Sequence, residues 1–127
     1  MVAPMTNKPL ALVVEDDDKL VSIFTQALKI ADFETTSVCD GREAIQLLGT
    51  IQPAVILLDL HIPGAAGDKV LAHIRQEARL KKAQVILATA DPLMADMLID
   101  QSDFILQKPV SFGQLRDLAV RLRSTLS

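Results

Sequence analysis

The sequence predicts an α/β fold: a doubly wound, five-stranded parallel sheet with helices on both faces. Three observations carry this. Short apolar runs alternate with segments of helical period along the chain. The strongest runs, Leu10–Val14, Ala54–Leu58 and Val85–Ala88, are continuously apolar, the pattern of strands covered on both faces. The chain has 127 residues, 50% hydrophobic and 23% charged, which suits one domain around one sheet.

The elements follow in order. After the first run, Leu20, Phe24, Ala27, Leu28 and Ala31 recur at helical spacing. Glu34–Val38 is a weaker strand; its polarity places it towards an edge of the sheet. Asp40-Gly-Arg-Glu43 resembles a capping box and opens a helix carrying Ala44, Leu47 and Leu48. The second apolar run follows, then a helix with Val70, Leu71 and Ile74, then the third run. Pro92 to Asp100 holds one short helix, begun by the proline in its first turn and packed by Met94 and Met97. Asp103–Leu106 is the second weak strand. Ser111-Phe-Gly-Gln114 caps a last helix with Leu115, Leu118, Ala119, Leu122 and Leu126 on its inner stripe. Residues 1–9 read as an amino-terminal tail and 10–127 as the single domain, with no repeat or linker.

Composition excludes several functions. Thirteen Lys and Arg against sixteen Asp and Glu give a net charge of −3, so no global positive field points to nucleic acid. Without Trp or Tyr, aromatic platforms for stacking bases or sugars are not expected. The single cysteine, Cys39, excludes an internal disulfide framework and fits a reducing, cytoplasmic compartment. No apolar run reaches the ~18 residues of a membrane span, and Met1 to Lys8 does not read as a signal peptide.

In an open parallel sheet, sites form at the carboxyl ends of the strands. There the sequence places Glu15-Asp16-Asp17, Asp59, Thr89-Ala90 and Lys108-Pro109. Each has a plain reading when taken alone: a helix cap (the role assigned to Asp17), a turn residue, a loop hydroxyl, a turn dipeptide. Together they fill four of five strand ends with acids, a hydroxyl and an ammonium. At ~4 Å and an effective dielectric near 20, each like-charge contact costs on the order of 4 kcal/mol. A hard divalent cation relieves this, and an oxygen-only donor set suits Mg²⁺. A carboxylate beside Mg²⁺, a lysine and a hydroxyl is an arrangement for accepting a phosphoryl group.

Four pieces, in order, resemble one family: Leu12-Val-Val-Glu-Asp-Asp17; Val55-Ile-Leu-Leu-Asp-Leu-His-Ile-Pro-Gly64 with Gly67; Ala88-Thr-Ala90; and Lys108-Pro109. From about Leu10 to Leu126 the chain resembles the CheY-like receiver domain of two-component response regulators. The resemblance implies a flavodoxin-like strand order, 2-1-3-4-5. It implies Asp59 as phosphoacceptor, Asp16 as a direct Mg²⁺ ligand, Glu15 acting through water, and the backbone carbonyl of His61 as a further ligand. Thr89 would be the switch hydroxyl and Lys108 the phosphate-binding lysine, followed by a cis peptide bond to Pro109. The His61 side chain would point towards the phosphoryl site; His73 reads as a solvated helix residue. The implied partners are a sensor histidine kinase or phosphotransfer protein and an unidentified output protein, with no nucleic-acid or membrane contact through this chain. Turnover of a separate substrate, as by an enzyme, is not expected.

Other classes compete less well. An aspartyl-phosphate phosphohydrolase of the haloacid dehalogenase kind wants an Asp two residues past the nucleophile, where this chain has His61. A flavin carrier of the same architecture wants a phosphate loop after the first strand, where three acids would repel the phosphate. The complete acidic set argues against a receiver-like interaction module not controlled by phosphorylation, but two departures leave that reading open. Ile105 stands where the family usually has an aromatic residue, with Phe104 just before it, and the Thr89–Lys108 segment is short.

Overall fold

The structure, a computed structural model, describes residues 8–126. Of the tail expected over residues 1–9, all but Lys8 and Pro9 lies outside the described residues. The elements run β1 (Leu10–Val14), α1 (Asp18–Ile30), β2 (Glu34–Val38), α2 (Gly41–Leu48), β3 (Val55–Asp59), α3 (Gly67–Gln76), β4 (Gln84–Thr89), α4 (Pro92–Leu98), β5 (Phe104–Gln107) and α5 (Phe112–Ser124). Short 3-10 turns follow α3 at Ala78–Leu80 and α4 at Ile99–Gln101. The strands form one sheet in the order β2-β1-β3-β4-β5, and every pairing is parallel.

The order follows from the side chains. β1, β3 and β4, the apolar strands buried on both faces, occupy the centre; the polar β2 and the short, only partly buried β5 form the edges. Alternate residues of each central strand face opposite sides, and both sides are covered. Ala11, Val13, Leu57 and Ile86 pack under α1 and α5 with Phe24, Leu28, Leu115 and Leu122. Leu12, Leu58, Val85 and Leu87 pack on the other side with Ala44, Leu48, Val70 and Ile74. At ~1.5–3 kcal/mol per fully buried aliphatic side chain, these layers are the main stabilising force.

Helix starts are set by capping side chains. Asp17 accepts from Lys19 N and Leu20 N; Asp40 accepts from Arg42 N and Glu43 N; Ser111 accepts from Gln114 N. α3 starts from Ala66 with no side-chain cap. Arginines secure the opposite end of the molecule. Arg79 donates to Leu48 O and Ile51 O at the end of α2, and Arg123 donates to the Asp32 carbonyl and carboxylate. At the amino ends of the strands an open cavity of about 260 Å³ brings together Pro9, Leu10, Ala54, Ala83 and Leu126.

Some details differ from the sequence expectations. Met97 is 75% exposed, because Ala95 and Leu98 take the core side of α4; Met94 alone packs inward. β5 begins one residue later than expected, since the Asp103 carboxylate is spent on Val85 N and Arg75 Nη2. His73 is half-buried rather than solvated.

Candidate functional site

The parallel sheet delivers the predicted residues to one edge. Glu15 directly follows β1, Asp59 ends β3, Thr89 ends β4 and Lys108 directly follows β5. Asp59 stands opposite Ala88 in the β3–β4 register, one residue from Thr89. Glu15 is locked in place from both ends. Its N–H donates to Val38 O at 3.1 Å, extending the β1–β2 pairing. Its Oε2 accepts from Asp16 N at 3.0 Å and Asp17 N at 3.3 Å.

Glu15 and Asp59 are buried, whereas Asp16 is exposed. One oxygen from each lies within 4.8 Å of the others. The Lys108 ammonium donates to Glu15 Oε1 at 2.9 Å and Asp59 Oδ2 at 3.2 Å. Asp59 Oδ1 accepts from His61 N at 3.1 Å. Thr89 is buried, and its Oγ1 accepts from Asp91 N at 3.0 Å. The Lys108–Pro109 bond is cis.

Burial pushes the Glu15 carboxyl above its ordinary value of 4.5, and the Asp59 charge pushes the same way; hydrogen bonds from Lys108 and the Asp17 backbone pull back without cancelling this. For Lys108, burial works downward, but its hydrogen bond to Glu15 and the charges of Asp59 and Glu15 win, leaving it above 10.5. One ammonium offsets only one of three carboxylates. At 4.8 Å and an effective dielectric near 20, the remaining repulsion is on the order of 3 kcal/mol per pair. The donor set is oxygen only, with no Cys or His side chain in the cluster. That chemistry fits Mg²⁺ rather than a soft or borderline metal.

The His61 side chain is exposed, with Nε2 3.9 Å from Asp91 Oδ2. The site also includes a residue that the sequence reading passed over. Asp91 caps α4 through Leu93 N and Met94 N, holds Thr89 Oγ1 by its own N–H, and reaches towards His61. Its signal was there to be read, an Asp directly before a proline at a helix start. Behind Thr89, an open cavity of about 150 Å³ lies between α4 and β5, lined by Pro92, Ala95, Asp96, Ile105 and Gln107.

Comparison with known proteins agrees with this geometry. The response regulator receiver domain family matches residues 11–120. The DNA-binding response regulator MtrA of Mycobacterium tuberculosis is 27% identical over 124 residues, covering 95% of this chain and 52% of MtrA. The chain thus spans about half the length of that relative. Among solved structures, the receiver domain of Francisella response regulator 1452 superposes with a TM-score of 0.81 at 26% identity, covering 94% of this chain and 100% of the other. The receiver domain of sensor histidine kinase PA1611 from Pseudomonas aeruginosa has a TM-score of 0.80 at 22% identity, covering 92% and 98%. That structure holds a magnesium ion coordinated in its active-site cleft. With a family match over most of its length and a sheet in the order β2-β1-β3-β4-β5, this chain belongs to the response regulator receiver domains.

Proposed function

We propose that the chain is a phosphorylation-controlled switch, with Asp59 as the acceptor. A sensor histidine kinase, a phosphotransfer protein or a small phosphodonor supplies the phosphoryl group. An Asp59 carboxylate oxygen attacks phosphorus, the bond from phosphorus to the donor breaks, and an acyl phosphate forms. Asp16, Asp59 and the His61 carbonyl, with Glu15 acting through water, would hold Mg²⁺, which would supply positive charge to offset that on the phosphoryl oxygens. Lys108 binds a phosphoryl oxygen. Thr89 donates its hydroxyl to another, biasing a two-state equilibrium in the loop that follows it. Output is through a bound protein, in a cytoplasmic setting; the domain catalyses only its own phosphorylation and dephosphorylation.

The observation that supports this most is the shared ammonium: Lys108 Nζ bridges Glu15 and Asp59 beside an exposed third acid. A structural salt bridge needs no third carboxylate, whereas a Mg²⁺ site draws on several oxygen donors. The test is labelling with a small phosphodonor and Mg²⁺, read by mass spectrometry. Wild type should gain one phosphoryl group, labile to hydroxylamine, and Asp59→Ala should gain none. Equal labelling of the two proteins would overturn the assignment. The alternative, an interaction module indifferent to phosphorylation, draws on Ile105; it predicts the same partner affinity with and without the label.

A further inference from the structure

The β3–α3 loop, residues 60–66, is gripped by a helix that contributes no side chain to the acid-and-lysine site. Gly41, the first residue of α2, donates its N–H to Pro63 O at 2.9 Å. A Cβ at position 41 would stand 1.8 Å from Ala65 O and 2.8 Å from Ala65 C, far inside the 3.0 Å that real Cβ atoms keep. Any side chain there must push the Ala65 peptide outward. From the loop side, Gly64 has φ +80° and faces Asp40; a Cβ on it would lie 2.3 Å from Asp40 Oδ1. That oxygen is committed to Arg42 N at 2.7 Å and Glu43 N at 3.1 Å, so it cannot swing aside without uncapping α2. The two glycines therefore interlock helix and loop.

The rest of the loop is held as well. At its neck, Gly67 N donates to Leu60 O at 3.2 Å. Leu60 and Ile62 are buried in the core shared with α2 and α3. His61 sits between these anchors, with its N–H on Asp59 Oδ1. Glu15, Asp16 and Asp59 have strands behind them and rotamers to adjust. A backbone carbonyl has neither: its direction is that of its peptide plane, which is held by Leu60 and Ile62 from the core side and by the contacts with α2 from the outer side.

We propose that Asp40–Gly41, at the amino end of α2, is a positioning element for the metal. By gripping Pro63–Ala65 it sets the direction of the His61 carbonyl towards the acidic cluster. The proposal rests on the metal reading above. Gly41 touches no reacting atom and acts only through the loop.

The test is Mg²⁺ affinity by titration calorimetry, on variants shown to be folded by circular dichroism. Gly41→Ala should bind Mg²⁺ about tenfold or more weakly than wild type. Two controls should match wild type: Gly113→Ala, whose Cβ would meet only Arg116 Nη2 at 3.6 Å, and Gly49→Ala, which strains the far end of the same helix against Gln46 O at 3.2 Å. A folded Gly41→Ala with wild-type affinity overturns the proposal. So does a Gly49→Ala with the same loss, since the effect would then be general weakening of α2. If Gly41→Ala does not fold, wild type decides by reciprocity. Saturating Mg²⁺ should slow exchange of the Gly41 amide and leave the Gly49 amide unchanged; unchanged exchange at Gly41 overturns the proposal. Wild type that binds no Mg²⁺ overturns the metal reading itself, and the first titration separates that failure from the others.

Discussion

Lys108 Nζ donates to Glu15 Oε1 at 2.9 Å across 93 residues of chain, tying the end of β5 to the end of β1. The contact passes over the two strands between them, and Asp59 of β3 shares the same ammonium at 3.2 Å. Without metal, this lysine supplies the compensating charge within the cluster.

Lys108→Ala should therefore destabilise the metal-free protein by about 3 kcal/mol, the cost of leaving buried carboxylates unpaired. Mg²⁺ should recover a large part of that loss, so the Mg²⁺-induced rise in Tm should be greater in the variant than in wild type. Thermal denaturation by circular dichroism measures both. An equal rise in the two proteins would contradict the shared-charge account.

Both shifted groups make stability fall as pH rises, in two separate windows. Folded Glu15 holds its proton more tightly than the unfolded chain does. Between 4.5 and its raised value the native state binds more protons, so its stability falls as pH rises. The contribution of Lys108 is fully present below 10.5 and is lost as pH rises through its raised value. Glu15→Gln keeps an acceptor for Lys108 and removes the disfavoured charge. It should raise the Tm of the metal-free protein at neutral pH, by an amount that shrinks as pH falls through the raised value to 4.5, and should weaken the stabilisation by Mg²⁺.

Neighbouring acids should separate cleanly. Asp17 carries the α1 cap, so Asp17→Ala should cost about 0.5–2 kcal/mol and leave the Mg²⁺ response intact. Asp16→Asn should do the reverse, with little change in the metal-free protein and a much reduced response to Mg²⁺. Urea denaturation with and without Mg²⁺ checks the crossover.

Asp103 Oδ2 accepts from Val85 N at 2.7 Å and from Arg75 Nη2 at 2.8 Å, while Arg75 also donates to Gln101 O and Ala83 O. Asp103→Ala leaves a strand amide without its partner and should cost about 1–3 kcal/mol by urea denaturation. Because the network lies at the amino end of β4, labelling of Asp59 should be unaffected.

Thr89 Oγ1 accepts from Asp91 N in this structure. Turning that hydroxyl towards a phosphoryl group frees the amide, so the response should concentrate in Ala90–Met94 and α4. Ile105 is β-branched with a stiff χ1, and it is packed against the core beside α4. Methyl NMR with beryllofluoride should show large shifts at Met94 and small ones at Ile105. A rotamer change at Ile105 with Met94 unmoved would refute this.

The central strands and the site were readable because their signals are local. Leu10–Val14, Val55–Leu58 and Val85–Ala88 are continuous apolar runs, and the acids, threonine and lysine each directly follow or end a strand. The boundaries that shifted depend on distant partners: β5 starts late because Asp103 serves Val85 and Arg75. The start of α3 had no capping side chain to announce it. The interlock of Gly41 with Ala65 joins positions 24 residues apart (65 minus 41), and nothing in the local sequence marks it. Met97 was misplaced because a seven-residue helix has too few turns for its spacing to fix the inward side.

Pro9, Leu10 and Leu126 meet at one cavity, at the end of the sheet away from the acids. The two ends of the described chain are thus neighbours. A short linker between them, with a new opening at the exposed Gly49–Thr50 turn, should yield a circular permutant that retains the sheet and its acidic edge. Pro9 and Leu126 lie about one strand length, ~16 Å, from the acidic edge. A partner bound at this end would therefore feel the phosphorylation state through the helices rather than by contact with the phosphoryl group.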